Sequence, residues 1–289
     1  MLKKFSSIIL IILITFIVSV GSFYYFNQMF SYKMPVNIIN VTYNENPVNK
    51  YHISEFNVET SRYFEKNYAR YVNYKKVNTK LTDDEVITRV NMGLDNKFYT
   101  NIRESNLDDG ILILCNKYNK LPKNYVPKLV TMESKYAKGG KLHPEAYEAF
   151  KKLSDDARKL GYKIIVNSGY RSYGSQTSIY NNYVNRDGRD RADTYSARPG
   201  HSEHQTGLAI DVASSGRFSS FGSTKEYTWM KANAHKYGYI LRYTKKNQWI
   251  TGYMNEEWHY RYVGIDAADY IYKNNITFEE YYVRFLERD

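Results

Sequence analysis

The chain has 289 residues, enough for one moderate domain with extensions, and 43% of them are hydrophobic, which excludes a disordered tail. A single cysteine, Cys115, excludes an internal disulfide framework and any cysteine-based metal cluster within one chain. The formal net charge is +11, yet no nucleic-acid motif accompanies it, so we expect no nucleic-acid partner; the basic surface reads either as a solvated lysine-rich face or as one drawn to lipid headgroups and phosphate-rich wall polymers.

The N-terminus places Lys3 and Lys4 before an uncharged, mostly apolar run over 5–26. At a helical rise that run is long enough to cross a hydrocarbon core of about 30 Å. The two lysines should stay inside, which puts everything after about residue 30 outside the cell membrane. The competing reading is a cleaved signal peptide and a secreted product, with Ser19-Val20-Gly21 as a weak small-residue cleavage site. Residues 31–120 read as a stalk and a partly helical membrane-proximal region. A short strand is expected at 36–39, an amphipathic helix over 59–76 carrying Tyr63, Phe64, Tyr68, Tyr71 and Val72, and a second helix opening on Asp83-Asp84-Glu85, whose charge suits a helix N-terminus. Cys115 follows the apolar run 111–114 and reads as a buried, inert thiol.

From 121 to 289 the pattern is that of one α+β domain, a small antiparallel sheet with helices packed around it. Pro122 and Pro127 mark an extended connector. His143-Pro144 opens a helix with Ala146, Ala149, Phe150, Leu153, Ala157 and Leu160 as its apolar stripe, and Gly161 ends it. A buried strand over 162–167 leads into a tight turn at 168–171 and a helix over 175–183. Residues 208–212 alternate as a strand, with Leu208, Ile210 and Val212 on one face and Ala209 and Asp211 on the other. A helix over 225–236 ends at Gly238, strands are expected at 239–243 and 258–263, and two helices close the chain, the last capped by Thr277.

The chemistry concentrates in His201-Ser202-Glu203-His204-Gln205-Thr206-Gly207-Leu208-Ala209-Ile210-Asp211 and, further on, Glu256-Glu257-Trp258-His259. A hydrolytic zinc site needs three protein ligands, a fourth position for water and a carboxylate to take that water's proton. Imidazoles, a carboxylate and a spare glutamate are all present. His204 and Asp211 are seven apart, so a continuous strand would point them opposite ways. Gly207 offers the turn that folds His204 over the strand end into the space Asp211 faces. His259 would come from a neighbouring strand with Trp258 turned away into packing, and His201 is a candidate wall of the site. His52, His143 and His235 have no such context and read as surface or capping residues.

The motifs SxHxxGxAxD over 202–211, ExWH over 256–259 and SGYRSxxxQ over 168–176 closely resemble the D-alanyl-D-alanine carboxypeptidases of the VanY type. That zinc peptidase family also includes VanX dipeptidases and phage endolysins. The likeness spans roughly 121–286. It implies Zn2+ held by His204, Asp211 and His259, with Glu256 as general base. It implies Arg171 as the family arginine, binding substrate or stabilising the developing oxyanion, and Gln176 and Ser202 as substrate contacts. The implied reaction removes the C-terminal D-alanine from peptidoglycan stem peptides. Glu257 departs from the family, where relatives often have proline; the extra carboxylate either raises the pKa of the base or faces solvent. Two readings compete: an L,D-carboxypeptidase acting on tetrapeptide stems, and a catalytically silent wall-binding protein that keeps the fold and zinc.

Overall fold

The computed structural model describes residues 61–214 and 218–288. The apolar run over 5–26, the strand expected at 36–39 and His52 lie outside them. Among the described residues no helix is long and apolar enough to cross a membrane.

In chain order the elements are α1 (Tyr68–Val77), α2 (Asp83–Asn91), β1 (Arg103–Glu104), β2 (Asn119–Lys120), β3 (Val130–Thr131) and β4 (Lys141–Leu142). Then come α3 (Pro144–Lys159), β5 (Ile165–Ser168), α4 (Tyr173–Asp187), α5 (Arg189–Ala192), β6 (Ala209–Ala213) and α6 (Lys225–Asn233). The chain closes with β7 (Tyr239–Leu241), α7 (Gln248–Thr251), β8 (His259–Tyr262), α8 (Ile265–Asn274) and α9 (Phe278–Phe285). Helices around small, mostly antiparallel sheets make the fold α+β, as expected.

Local sequence explains most boundaries. Thr82 and Glu85 exchange hydrogen bonds in a reciprocal capping box at the start of α2, and Thr277 and Glu280 do the same at α9. The helix expected over 59–76 is shorter, because Phe64 is extended and gives its N–H to the buried Tyr71 hydroxyl at 3.2 Å instead of to a helical carbonyl. Leu160, read as part of the α3 stripe, is 61% exposed. It lies just past the last helical turn, and Gly161 at φ 82° swings the chain away. Tyr147 and Ser154 join the buried face of α3 instead, Ser154 donating to the carbonyl of Ile164 at 2.8 Å.

The central sheet runs β5-β6-β8-β7, antiparallel at every step. Ile210 and Val212 of β6 join a core with Phe150 and Leu153 of α3, Met230 of α6, Tyr239 of β7 and Tyr260 of β8. Asp211, between them, takes the other face by strand alternation. Its opposite neighbours are Ser168 on β5 and His259 on β8, so three polar residues form one row across three strands. A bulge between Val166 and Ser168 re-aims the end of β5 at that row.

Residues 61–120 belong to the same compact unit as the described residues that follow them. Arg62 donates to the carbonyls of Phe285, the last residue of α9, and of Glu287 just after it, Arg103 pairs with Glu287, and Leu114 packs with Ile240, Val263 and Phe278. Cys115 is fully buried with its thiol directed at the Gly200 carbonyl, and burial pushes it far above the usual thiol range, as expected of an inert cysteine.

Candidate metal centre and cleft

Two turns pin His204. It sits in the 3-10 turn Glu203–Thr206, which ends at Gly207 in the left-handed region with φ 68°. A Cβ at Gly207 would stand 2.9 Å from Leu129 Cδ2, so both the conformation and the contact demand glycine. His204 Nδ1 bonds the Gly169 carbonyl at 2.7 Å, while Arg171 N–H returns a bond to the His204 carbonyl at 3.1 Å. With Nδ1 donating, His204 presents Nε2, which lies 3.3 Å from Asp211 Oδ2. The odd spacing of His204 and Asp211 is therefore reconciled by the turn at Gly207.

His259 enters from β8, opposite Asp211, and its Nδ1 is 3.1 Å from Asp211 Oδ1. Donor atoms of His204, Asp211 and His259 all fall within 4.8 Å of one another, close enough to share one ion, and all three residues are buried. Two imidazole nitrogens and one carboxylate oxygen suit zinc and leave a coordination position open. Glu256 stands at the edge of the triad, Oε2 3.9 Å from His259 Nδ1. Burial pushes its carboxyl up to about 7, with the Asp211 charge adding to the rise and His259 opposing it. Burial likewise lowers His204; for His259 burial also lowers the pKa, but hydrogen bonds to Asp211 and Glu203 outweigh it and carry the imidazole up to about 9.

The triad lies in a cleft of about 440 Å³ whose lining includes Arg171, Gln176, Ser202, Tyr243, Asn255 and Trp258. All seven residues selected from the sequence thus converge. Arg171 Nη2 donates to Ser168 Oγ at 3.1 Å and stands 3.7 Å from Asp211 Oδ2, while Nη1 donates to Gln176 Oε1 at 3.0 Å. Gln176 donates in turn to the Ala197 carbonyl at 2.7 Å, so both ends of its amide are occupied in holding Arg171.

Several expectations are corrected. Trp258 packs against the core as expected but also lines the cleft, because the turn at Glu257 and Trp258 precedes β8 and strand alternation does not apply to it. His201 is not a cleft wall; it is buried, its Nδ1 2.7 Å from the Asn116 carbonyl and its ring edge-on to Tyr99. His235 is buried and stacked on Tyr272 at 3.7 Å, not a surface residue. Glu257 turns to Asn255 and packs over Gly222, away from the base. Sequence reasoning also left Glu203 unassigned. Its Oε2 is 3.1 Å from His259 Nε2, and its adjacency to His204 in the motif was the one available signal.

A buried two-histidine, one-aspartate centre opening on a cleft, with a glutamate of raised pKa beside it, defines a metal-dependent hydrolase site. The sequence profile of the VanY family, D-alanyl-D-alanine carboxypeptidase, matches residues 139–265. YodJ of Bacillus subtilis (strain 168) is 44% identical over 184 residues, which is 60% of this chain and 67% of that protein. The solved structure of the LdcB LD-carboxypeptidase, described as revealing peptidoglycan recognition, is 40% identical with a TM-score of 0.60, covering 65% of this chain and 92% of that one. A VanY D,D-pentapeptidase mutant from a VanB-type resistance cassette, in complex with Zn(II), is 36% identical with a TM-score of 0.53, covering 59% and 97%. The chain belongs to the VanY family and is a peptidase of the D-alanyl-D-alanine carboxypeptidase type.

Proposed function

We propose that this protein is a zinc carboxypeptidase that removes the C-terminal D-alanine from peptidoglycan stem peptides. The observation that carries the reading is the convergence of His204 Nε2, Asp211 and His259 Nδ1 with Glu256 at the mouth of one cleft. Zinc held there would supply Lewis acidity, polarising the scissile carbonyl and acidifying a water. Glu256 takes the proton of the attacking water and delivers it to the departing amine. Arg171, fixed by Ser168 and Gln176, directs a cationic fork into the cleft beside the metal ligands. That position suits either the developing oxyanion or the free carboxylate at the substrate's C-terminus.

The apolar run over 5–26, outside the described residues, supports placement on the outer face of the cell membrane, where stem peptides and anionic wall polymers are found. A second reading, cleavage of the L,D-bond of tetrapeptide stems, is favoured by the likeness to the LdcB LD-carboxypeptidase. Incubating the purified protein with pentapeptide and tetrapeptide stems and weighing the products decides between them. Release of D-alanine from the pentapeptide alone supports the D,D reading, release from the tetrapeptide alone replaces it with the L,D reading, and release from neither rejects both.

A further inference from the structure

Behind the metal centre lies a buried array of four charges. Glu203, Arg242, Arg261 and Glu279 are each at most 2% exposed, two carboxylates against two guanidiniums. Glu203 divides its oxygens. Oε2 meets His259 Nε2 at 3.1 Å, while Oε1 accepts Arg242 Nε at 2.8 Å and faces Arg261 Nη1 at 3.4 Å. The far end of Arg242 forks onto Glu279, Nη2 to Oε1 at 2.8 Å and Nη1 to Oε2 at 3.1 Å. Glu279 lies in the first turn of α9, fixed by the Thr277–Glu280 capping box and approached by Asn116 Nδ2 at 3.4 Å. Glu279 and α9 fall beyond residue 265, where the family profile stops, and Asn116 falls before residue 139, where it starts.

A histidine ligates a metal through the nitrogen that carries no proton, and the partner of its other nitrogen decides which one that is. Here both nitrogens of His259 face carboxylates at 3.1 Å, Nδ1 toward Asp211 inside the triad and Nε2 toward Glu203 outside it, so a metal takes the place of the Nδ1 proton while Glu203 retains the proton on Nε2. We propose that Glu203 is a positioning residue that selects the Nδ1-liganding form of His259, and that the Arg242–Glu279 clamp from the C-terminal helix holds Glu203 in place. The inference rests on the zinc reading of the triad.

The test uses the full chain and reads the metal, not turnover. In Glu203→Gln the single carbonyl oxygen is claimed by Arg242 and Arg261, which turns the amide NH2 toward His259 Nε2 and sets donor against donor. Glu279→Gln removes half of the clamp without touching the centre. Zinc affinity is measured by chelator competition, and the ligand field by the visible spectrum of the cobalt-substituted protein, with circular dichroism as the fold control. Glu203→Gln is expected to weaken zinc on the order of 10- to 100-fold and to change the cobalt spectrum, and Glu279→Gln to do the same to a smaller degree. A folded Glu203→Gln with parental affinity and spectrum overturns the proposal. If that variant does not fold, a folded Glu279→Gln with parental affinity and spectrum overturns it. A parent chain that binds no zinc instead rejects the proposed function.

Discussion

Asp211 and His259 are directly opposed on neighbouring antiparallel strands, and their side chains meet with Oδ1 3.1 Å from Nδ1. Two proposed metal ligands 48 positions apart are thereby held by backbone hydrogen bonds rather than by loops. Both Asp211→Asn and His259→Ala are expected to lose zinc and activity together. Metal analysis of the purified variants checks this; undiminished zinc in either would remove that residue from the ligand set.

On the proposed reading Glu256 relays a proton and does not hold the metal. Glu256→Gln preserves shape but cannot accept a proton, so it is expected to keep zinc while losing about 10²- to 10⁴-fold in kcat. Zinc content and stem-peptide turnover, measured on the same sample, test the two halves independently.

The pH dependence of metal binding has a definite sign. Without metal, His259 titrates near 9 while Asp211 is held well below the usual carboxylate range and His204 is lowered, so His259 is the ligand that must give up a proton. Apparent zinc affinity is expected to rise about tenfold per pH unit from 7 toward 9. The contribution of His259 and Glu256 to the stability of the metal-free fold runs the other way. His259, raised from 6.5, and Glu256, raised from 4.5 to about 7, both bind protons more tightly folded than unfolded. Their contribution is therefore complete below those unfolded values and lost as pH rises through about 7 and about 9. Thermal melts of chelated and zinc-loaded protein at pH 6 and pH 9 should diverge in this direction.

For Arg171, a lysine keeps the charge but cannot bond Ser168 and Gln176 as a fork. Arg171→Lys is expected to lower kcat/KM about 10²- to 10³-fold. Loss concentrated in kcat assigns the guanidinium to the oxyanion, and loss concentrated in KM assigns it to the substrate carboxylate.

Gly207→Ala places a Cβ against Leu129 and His143 at φ 68°. The strain is expected to destabilise the protein by about 1–3 kcal/mol, with a lower denaturation midpoint and weaker zinc binding through displaced His204. An unchanged midpoint would show that the turn relaxes freely.

Much of this was legible because it rests on local chemistry. Pro144 and Gly161 bracket α3, Thr277 caps α9, and the odd interval from His204 to Asp211 already required the bend that Gly207 supplies. The failures share a cause. Periodicity carries Leu160 one residue beyond the last helical turn, and strand alternation misses that Trp258, which packs against the core, also reaches the cleft from a segment that is still turning. His235 and His201 lacked any local sign that distant rings, Tyr272 and Tyr99, would cover them.

The family, and the order and types of the residues proposed as ligands and base, were thus legible in the sequence alone, because ligand chemistry and turn preference are properties of individual residues and short spacings. The tertiary structure decided the register that opposes Asp211 to His259, the side of His259 that faces the triad, and the Glu203–Arg242–Glu279 array behind it. Those depend on which distant segments meet, and electrostatic pairing across long separations leaves no periodic trace in the chain.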